Sequence, residues 1–467
     1  MISVIIVNWK KPEETEKCIQ SLCKHADANF EIILINNESS EINDENRKLV
    51  EYSRITPYLT RVKTINNKEN LGFVKAVNQG INTSIEEYIL LLNNDFYVQE
   101  PFLTKLVNTF HSFPNTGITG PIKLFAEGTD FIEGSCLMIK KSLLNELGNL
   151  DERFGIGVME DVDLAKRVQL FASLKLQQVS LNFIHEQAKT FGKELKTKQT
   201  ETNRLIFRKK WAEIYRQNKD YVDVVCVNYR KDKMTLECLE LFIKNANYPF
   251  KIYLVNNSPL QDTLFKGHDI NSWTNTKKAE NPWLLDIILY NSEENLGFLG
   301  GTNKGYSETE GKYICLLNND AMVYSPFMYE YASTVNNNPK IGLIGPSRLE
   351  TLGMTFLEDS LLFFTREFKD NILGEYDMDF GLGIFEDVLY CYQTKLAGYQ
   401  VVHQQFDYKH LGSQTLANDK KIVQTDMNRE VYKNKVFNTE HPMYVKLHQT
   451  MKERTEKDIF KRRLNND

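Results

Sequence analysis

The string Leu91-Leu92-Asn93-Asn94-Asp95 returns unchanged as Leu316-Leu317-Asn318-Asn319-Asp320, an offset of 320 − 95 = 225. The same offset relates Asn70-Leu71-Gly72-Phe73 to Asn295-Leu296-Gly297-Phe298, Gly120-Pro121 to Gly345-Pro346, His185 to His410, and Asn203-Arg204 to Asn428-Arg429. Glu160-Asp161 and Glu386-Asp387 match at 386 − 160 = 226, and Asn36-Asn37 and Asn256-Asn257 at 256 − 36 = 220. Solenoid units recur every ~20–50 residues, so a period this long marks a duplicated domain. The repeat places domain 1 at 1–218 and domain 2 at 219–440, followed by a charged tail over 441–467 that reads as a solvated helix.

Each copy alternates strand-like and helix-like runs. In the first, Ser3–Val7, Glu31–Ile35, Val62–Ile65 and Tyr88–Leu92 read as strands, and Pro12–Cys23 and Phe73–Ile81 as helices. Single helices between strands imply an α/β fold with a mostly parallel sheet covered on both faces. Ligands of such sheets bind beyond the carboxyl ends of the strands, where Asn8, Asn36-Asn37 and Asn93-Asn94-Asp95 fall. Residues 191–220 carry nine Lys/Arg against four Asp/Glu with apolar residues at helical spacing, which predicts a basic surface helix closing domain 1.

Composition narrows the function classes. A net charge of −5 leaves no overall footprint for nucleic acid. No apolar run reaches the ~18 residues of a membrane span, and the first residues enter a strand without a charged leader, so a cytoplasmic protein is expected. The seven Cys form no Cys-x-x-Cys pair and read as reduced core residues. Neither copy has a P-loop, a Gly-x-Gly-x-x-Gly turn, a Gly-x-Ser-x-Gly elbow or zinc-ligand spacing.

Four constellations remain. Asp95 and Asp320 end a buried strand, where a carboxylate serves either as a polar turn or as an oxygen ligand for Mg²⁺ or Mn²⁺. His185 and His410, each five residues before a Thr (Thr190, Thr415), are either structural or a second ligand of that ion. Glu160-Asp161 and Glu386-Asp387 follow Gly155-Ile156-Gly157 and Gly381-Leu382-Gly383, so they are either helix-start acids or a general base behind a loop able to close over substrate. The Asn-Leu-Gly-Phe segments open helices whose N-termini suit phosphate.

In order along each copy, Ser-Val-Ile-Ile-Val-Asn-Trp, Asn-Asn, Asn-Leu-Gly-Phe, Leu-Leu-Asn-Asn-Asp, Gly-Pro, Glu-Asp-Val-Asp-Leu and the late His resemble the family 2 glycosyltransferases of GT-A fold, especially their bacterial rhamnosyltransferase-like branch. The resemblance implies two tandem GT-A domains and inverting transfer from a nucleotide-sugar donor, UDP- or dTDP-linked ahead of GDP-linked. It further implies a glycan or lipid-linked glycan acceptor, as in building a bacterial surface polysaccharide. Asp161 and Asp387 match the catalytic base. Asp95 and Asp320, with His185 and His410, match the holders of one Mn²⁺ or Mg²⁺ per active domain. Asn8, Asn36, Asn70, Gly72, Asn93 and Asn94, with Asn228, Asn256, Asn295, Gly297, Asn318 and Asn319, match donor-binding positions; Asn36 and Asn256 stand where the family commonly has Asp against the pyrimidine. Specificity is expected from Phe125–Phe131 and Leu349–Phe356.

Copy two departs from copy one at Leu389 for Asp163, Gln393 for Arg167 and Asp359 for Gly134, so its acceptor side differs or has decayed. Retention of Asp95/Asp320, Asp161/Asp387 and both histidines still leads to the expectation of a bifunctional enzyme, with two readings left open: only one domain, more readily the first, is catalytic while the other binds acceptor or partner, or both are dead and the chain is a glycan-binding scaffold. The basic 191–218 segment suits peripheral contact with the inner face of a membrane.

Overall fold

In a computed structural model the described residues are 1–38, 56–186, 193–257, 270–351, 354–380, 386–412, 427–432 and 435. Thr190, Thr415, Gly381–Gly383 and the 441–467 tail lie outside them. The chain divides into two compact units, Met1–Phe207 and Arg208–Asp467.

The first unit runs β1 (Ile2–Asn8), α1 (Pro12–His25), β2 (Phe30–Asn37), β3 (Leu59–Asn67), α2 (Phe73–Thr83), β4 (Tyr88–Leu92), β5 (Phe96–Val98), α3 (Leu103–Ser112), β6 (Thr116–Gly120), β7 (Lys123–Ala126), β8 (Thr129–Ile132), β9 (Cys136–Lys140), α4 (Lys141–Leu147), α5 (Glu160–Phe171), β10 (Lys175–Gln178) and β11 (Phe183–His185). Helix α6 (Lys193–Gln217) follows, and the division into units falls within it, upstream of the boundary at 218 that the repeat suggests.

Seven strands form one sheet in the order β10-β6-β9-β4-β1-β2-β3. All neighbours are parallel except β9, which runs antiparallel to both β4 and β6. Strand period explains the two-faced core. Val4, Ile6, Ile32, Leu34, Leu90 and Leu92 point to the face covered by Cys18, Ile19 and Leu22 of α1 and Leu103, Leu106 and Phe110 of α3. Ile5 and Ile35 point to the other face, where α2 packs so closely that a Cβ on Gly80 would stand 2.6 Å from Ile5. Only glycine permits that approach.

The second unit repeats the plan with β12 (Val222–Asn228), α7 (Asp232–Asn245), β13 (Phe250–Asn256), α8 (Ile270–Glu280), β14 (Leu284–Asn291), α9 (Gly297–Glu308), β15 (Tyr313–Leu317), β16 (Ala321–Val323), α10 (Met328–Asn337), β17 (Ile341–Gly345), β18 (Arg348–Thr351), β19 (Met354–Leu357), β20 (Leu361–Thr365), α11 (Glu386–Leu396), β21 (Gln400–His403) and β22 (Tyr408–His410). Its sheet order, β14-β13-β12-β15-β20-β17-β21, is the same topology, again with one antiparallel strand, β20. The α/β class and the tandem arrangement are as the repeat and the alternation predict. All seven Cys are free and buried. Among the described residues no helix is long and apolar enough to cross a membrane.

The substitution Leu389 has a structural explanation; Gln393, whose buried amide oxygen has no hydrogen-bond partner among the described residues, has none. In the first unit Asp163 and Arg167 form a fully buried ion pair at 2.9 Å. The Arg167 guanidinium also donates to the carbonyls of Leu147, Gly148 and Asn149, clamping the connection from α4 to α5. In the second unit Leu389 joins an apolar cluster with Tyr376 and Tyr390, and the Tyr390 hydroxyl takes over the clamp by donating to the Gly374 carbonyl at 3.3 Å. Leu389 is thus a core exchange, and the pair it replaces lies in the core.

Candidate active site

The carboxyl ends of β1, β2 and β4 open on a cavity of about 400 Å³, within the usual range for small-molecule sites. Val7, Trp9, Asn37, Asn70, Gly72, Phe73 and Asn93-Asn94-Asp95 line one part. The rest comes from the β7–β8 hairpin (Leu124, Ala126, Phe131), from Glu133-Gly134-Ser135, from Ile156–Val162, from His185, and from Gln199, Thr200 and Arg204 of α6.

Asp95 and His185, 90 residues apart in sequence (185 − 95 = 90), meet through a two-stranded ladder. Strand β11 pairs antiparallel with β5 so that His185 lies opposite Phe96, and Glu186 N–H donates to the Asp95 carbonyl at 3.2 Å. This brings His185 Nε2 to 3.5 Å from Asp95 Oδ1. In the second unit β22 pairs with β16 in the same register, and His410 Nε2 stands 3.1 Å from Asp320 Oδ1.

Glu133 and Glu358, at the 225 offset, complete the arrangement. Glu358 Oε1 is 2.9 Å from His410 Nδ1, and Glu133 Oε2 is 3.7 Å from His185 Nδ1. Each imidazole thus has one nitrogen toward a strand-end Asp and the other toward a Glu, and in the second unit the short Glu358 bond orients the ring. Burial opposes charge on His410, but hydrogen bonds with Asp320 and Glu358 outweigh it and push its pKa up to about 10. The repeat register marks these glutamates, although no local motif does.

Among the described residues no three His, Cys, Asp or Glu side chains form a metal-holding group. The Asp–His pairs nonetheless fit a hard divalent ion: an octahedral ion with ligands at about 2.1 Å sets neighbouring ligands about 3 Å apart, leaving the other positions to phosphate and water. Both pairs come near that spacing.

Asp161 sits in the first turn of α5, its carboxylate accepting from Gly134 N–H at 3.0 Å and Val162 N–H at 2.8 Å. Burial raises the pKa of both Glu160 and Asp161; the Asp161 charge raises Glu160 further and the Glu133 charge raises Asp161 further, while the two N–H donors favour the Asp161 anion. Of two adjacent carboxyls whose environments separate them, Glu160 keeps its proton and Asp161 is the one that ionises.

The Gly155–Gly157 loop differs from the closing lid expected of its glycines. Val74 N–H donates to the Gly155 carbonyl, and Asn203 Nδ2 donates to the carbonyls of Phe154, Gly157 and Val158 at 2.8 to 2.9 Å. Gly72, at φ +83°, allows the approach, since a Cβ there would stand 2.8 Å from the Gly155 oxygen. The Val74 N–H of the first turn of α2 is therefore committed to this loop. Val158 and Met159 hold left-handed backbone at φ +73° and +78°, strain costing about 1–3 kcal/mol each that the pinned loop sustains beside Asp161. Asn203→Ala would leave those buried carbonyls unsatisfied at about 1–3 kcal/mol. The expected result is a lower Tm with faster hydrogen exchange over 155–160, read by mass spectrometry.

The structure brings Asn70, Gly72, Asn93, Asn94, Asp95, Asp161 and His185 to one cavity. Asn8 and Asn36 stand behind its wall. Asn8 Nδ2 donates to Asn36 and Asn36 Nδ2 to Asn66, forming a side-chain ladder across β1, β2 and β3. Asn228, Asn256 and Asn291 repeat it. Asn8 accepts from Thr15, which accepts from Asn94, and Asn228, Thr235 and Asn319 form the same relay. Direct donor contact by Asn8, Asn36, Asn228 and Asn256 is therefore replaced by a supporting role: full burial commits their amides to the ladder. Asn37, missed as a donor position, lines the cavity and binds Asn70 and the Gly72 carbonyl, as Asn257 binds Asn295 and Gly297.

A family model described as Glycosyl transferase family 2 matches residues 3–160 and 223–385. Two curated relatives from Haemophilus influenzae, each named an uncharacterized glycosyltransferase, are 22% identical over 286 residues and 28% identical over 115. The first match covers 60% of this chain and 73% of the relative, the second 25% and 36%. Similar solved structures include a Pyrobaculum calidifontis mannosyltransferase in complex with GDP-Man and Mn²⁺, at 13% identity and a TM-score of 0.34, covering 46% of this chain and 63% of that one. S. aureus TarS follows at 16% identity and a TM-score of 0.32, covering 39% and 36%.

Proposed function

The chain belongs to glycosyl transferase family 2, and on that footing we propose that its first unit is an inverting GT-A site moving a sugar from a nucleotide-sugar donor to a glycan acceptor. The observation that carries this reading is the convergence of Asp95, His185 and Asp161 on one cavity. Trp9, Asn37 and Asn70 supply an aromatic face and amides suited to the nucleoside. Asp95 and His185 would hold a Mn²⁺ or Mg²⁺ ion, which when bound offsets charge on the leaving diphosphate. Asp161 takes the proton from the attacking acceptor hydroxyl, and the pinned 155–159 loop holds it in place. The β7–β8 hairpin, with exposed Leu124 and Phe125, offers an apolar acceptor rim.

The second unit keeps Asn257, Asn295, Asp320 and His410 in the same register, which favours donor binding there too and disfavours the dead scaffold. The bifunctional reading adds a second transfer by Asp387. A UDP- or dTDP-linked donor, a lipid-linked acceptor, work on a bacterial surface glycan and a cytoplasmic place at the inner membrane face belong to this proposal. Calorimetric titration of UDP, dTDP and GDP with Mn²⁺ tests it. Two sites per chain are expected, with Asp95→Ala weakening one and Asp320→Ala the other by at least ~10-fold, the usual cost of disturbing a metal's surroundings. No binding of any nucleotide would sink the reading.

A further inference from the structure

We propose that Asp359, which stands where the first unit has Gly134, keeps the second unit from transferring sugar near neutral pH by crowding a third carboxyl into its base site. This rests on the reading of Asp161 and Asp387 as bases. In the first unit a Cβ built on Gly134 would stand 3.7 Å from Asp161 Oδ2 and 3.9 Å from Glu160 Oε1, so any side chain there enters the acid pair. The second unit has made that insertion. Asp359 is buried, accepts a hydrogen bond from the Tyr376 hydroxyl at 3.2 Å and shares another with Glu386. Two carboxyls in hydrogen-bond contact need a proton between them.

The nearby His410 cation pairs with Glu358 and Asp320 and relieves neither Asp359 nor Asp387 by an ion pair. Asp359 faces Glu386 of α11, Glu358 beside it in the β19–β20 turn, and the neutral rings of Tyr376, Tyr306 and Tyr390. Among the described residues neither Asp359 nor Asp387 has an ion pair. Asp387 accepts from Val388 N–H, as Asp161 does from Val162, but the Gly134 N–H bond to the base has no counterpart among the described contacts of Asp387. Burial first, and Asp359 second, hold the Asp387 carboxyl well above the ordinary range. A protonated Asp387 has no lone pair basic enough to deprotonate an acceptor hydroxyl. The first unit, with two acids and an added N–H donor, lacks this block.

The test uses the full chain with Mn²⁺ and whichever UDP-, dTDP- or GDP-sugar it turns over, reading nucleoside diphosphate release at pH 7 and pH 9. Asp161→Asn is expected to be nearly silent at pH 7 and to recover release at pH 9. Adding Asp359→Gly, or Asp359→Asn where the glycine disturbs folding, should raise release at pH 7 at least tenfold above Asp161→Asn alone. The proposal is overturned if Asp161→Asn keeps half the wild-type rate at pH 7, or if neither double variant exceeds it while the second site still binds donor. A second readout separates this from failure of the transferase reading. A carboxyl with a raised folded pKa loses stability as pH rises, so Tm should fall more steeply from pH 5 to 9 in wild type than in Asp359→Asn. Equal slopes overturn the proposal even if no donor is turned over; a shallower slope in the variant supports it.

Discussion

Asp161→Asn should lower sugar transfer at pH 7 by about 10²–10⁴-fold, the range for loss of a positioned general base. Donor binding should persist, because Asn37, Asn70, Asp95 and His185 are untouched. The pH dependence follows from the raised Asp161 pKa. Transfer requires the carboxylate, so the wild-type rate climbs as pH rises through a value above the ordinary carboxylate range. Stability runs the other way: a carboxyl that holds its proton more tightly folded than unfolded contributes stability at low pH that is lost as pH rises. Asn carries no proton to lose but can accept from only one of the two N–H donors, so the variant's Tm should fall less than that of wild type between pH 5 and pH 9, whatever its offset. A rate loss with an unchanged Tm slope would make Asp161 a structural helix-start acid instead. Rate and melting profiles from pH 5 to 9 decide the matter.

Asp163→Ala should destabilise the first unit by about 3–5 kcal/mol, because it strands Arg167 as an unpaired buried charge. For a unit of this size the fall in Tm is about 6–20 °C, at ~2–4 °C per kcal/mol. The double change Asp163→Leu with Arg167→Gln installs the second unit's residues and removes both buried charges. It should cost less than Asp163→Ala, with a remainder from the carbonyls of Leu147, Gly148 and Asn149 that Arg167 now satisfies. Differential scanning calorimetry on the three chains, with hydrogen exchange over α5, measures this. If the double variant is the less stable of the two, the exchange of ion pair for apolar core is not the relation between the copies.

Several features were legible before any fold was known. Tyr88–Leu92 is a strand with the bounds that its apolar run predicts, and the other strands and helices extend the predicted runs by a few residues at their ends. Repetition made this reading firm, because an identical polar string in two places separates a required group from a replaceable turn. The same register pointed to Glu133 and Glu358, but a glutamate in a short turn between apolar segments has no local pattern of its own. Asn8 and Asn36 misled for a related reason. A polar residue at the end of a buried strand has the same sequence signature whether its amide faces a ligand or a neighbouring strand.

Asp163 shows where one-dimensional comparison fails. Its absence from the second copy suggests decay, since an acid next to an acidic motif reads as part of the site. In three dimensions its period on α5 turns it inward, and the partner that explains it is four residues on at Arg167. The glycines of 155–157 were ambiguous in the same way. Their freedom allows either a mobile lid or a tight bend, and the choice is made by Asn203, nearly fifty residues away.

The sequence by itself determined the duplication, the α/β alternation, the strand ends where chemistry sits and the residue types available there, because these follow from local periodicity and from repetition. Tertiary structure alone decided which of those groups face the cavity, that each histidine lies between an aspartate and a glutamate, and that Asp359 adds a third acid where the first unit has none. Those outcomes depend on strand register and burial, which join residues distant in the chain and set the cost of each charge by what surrounds it.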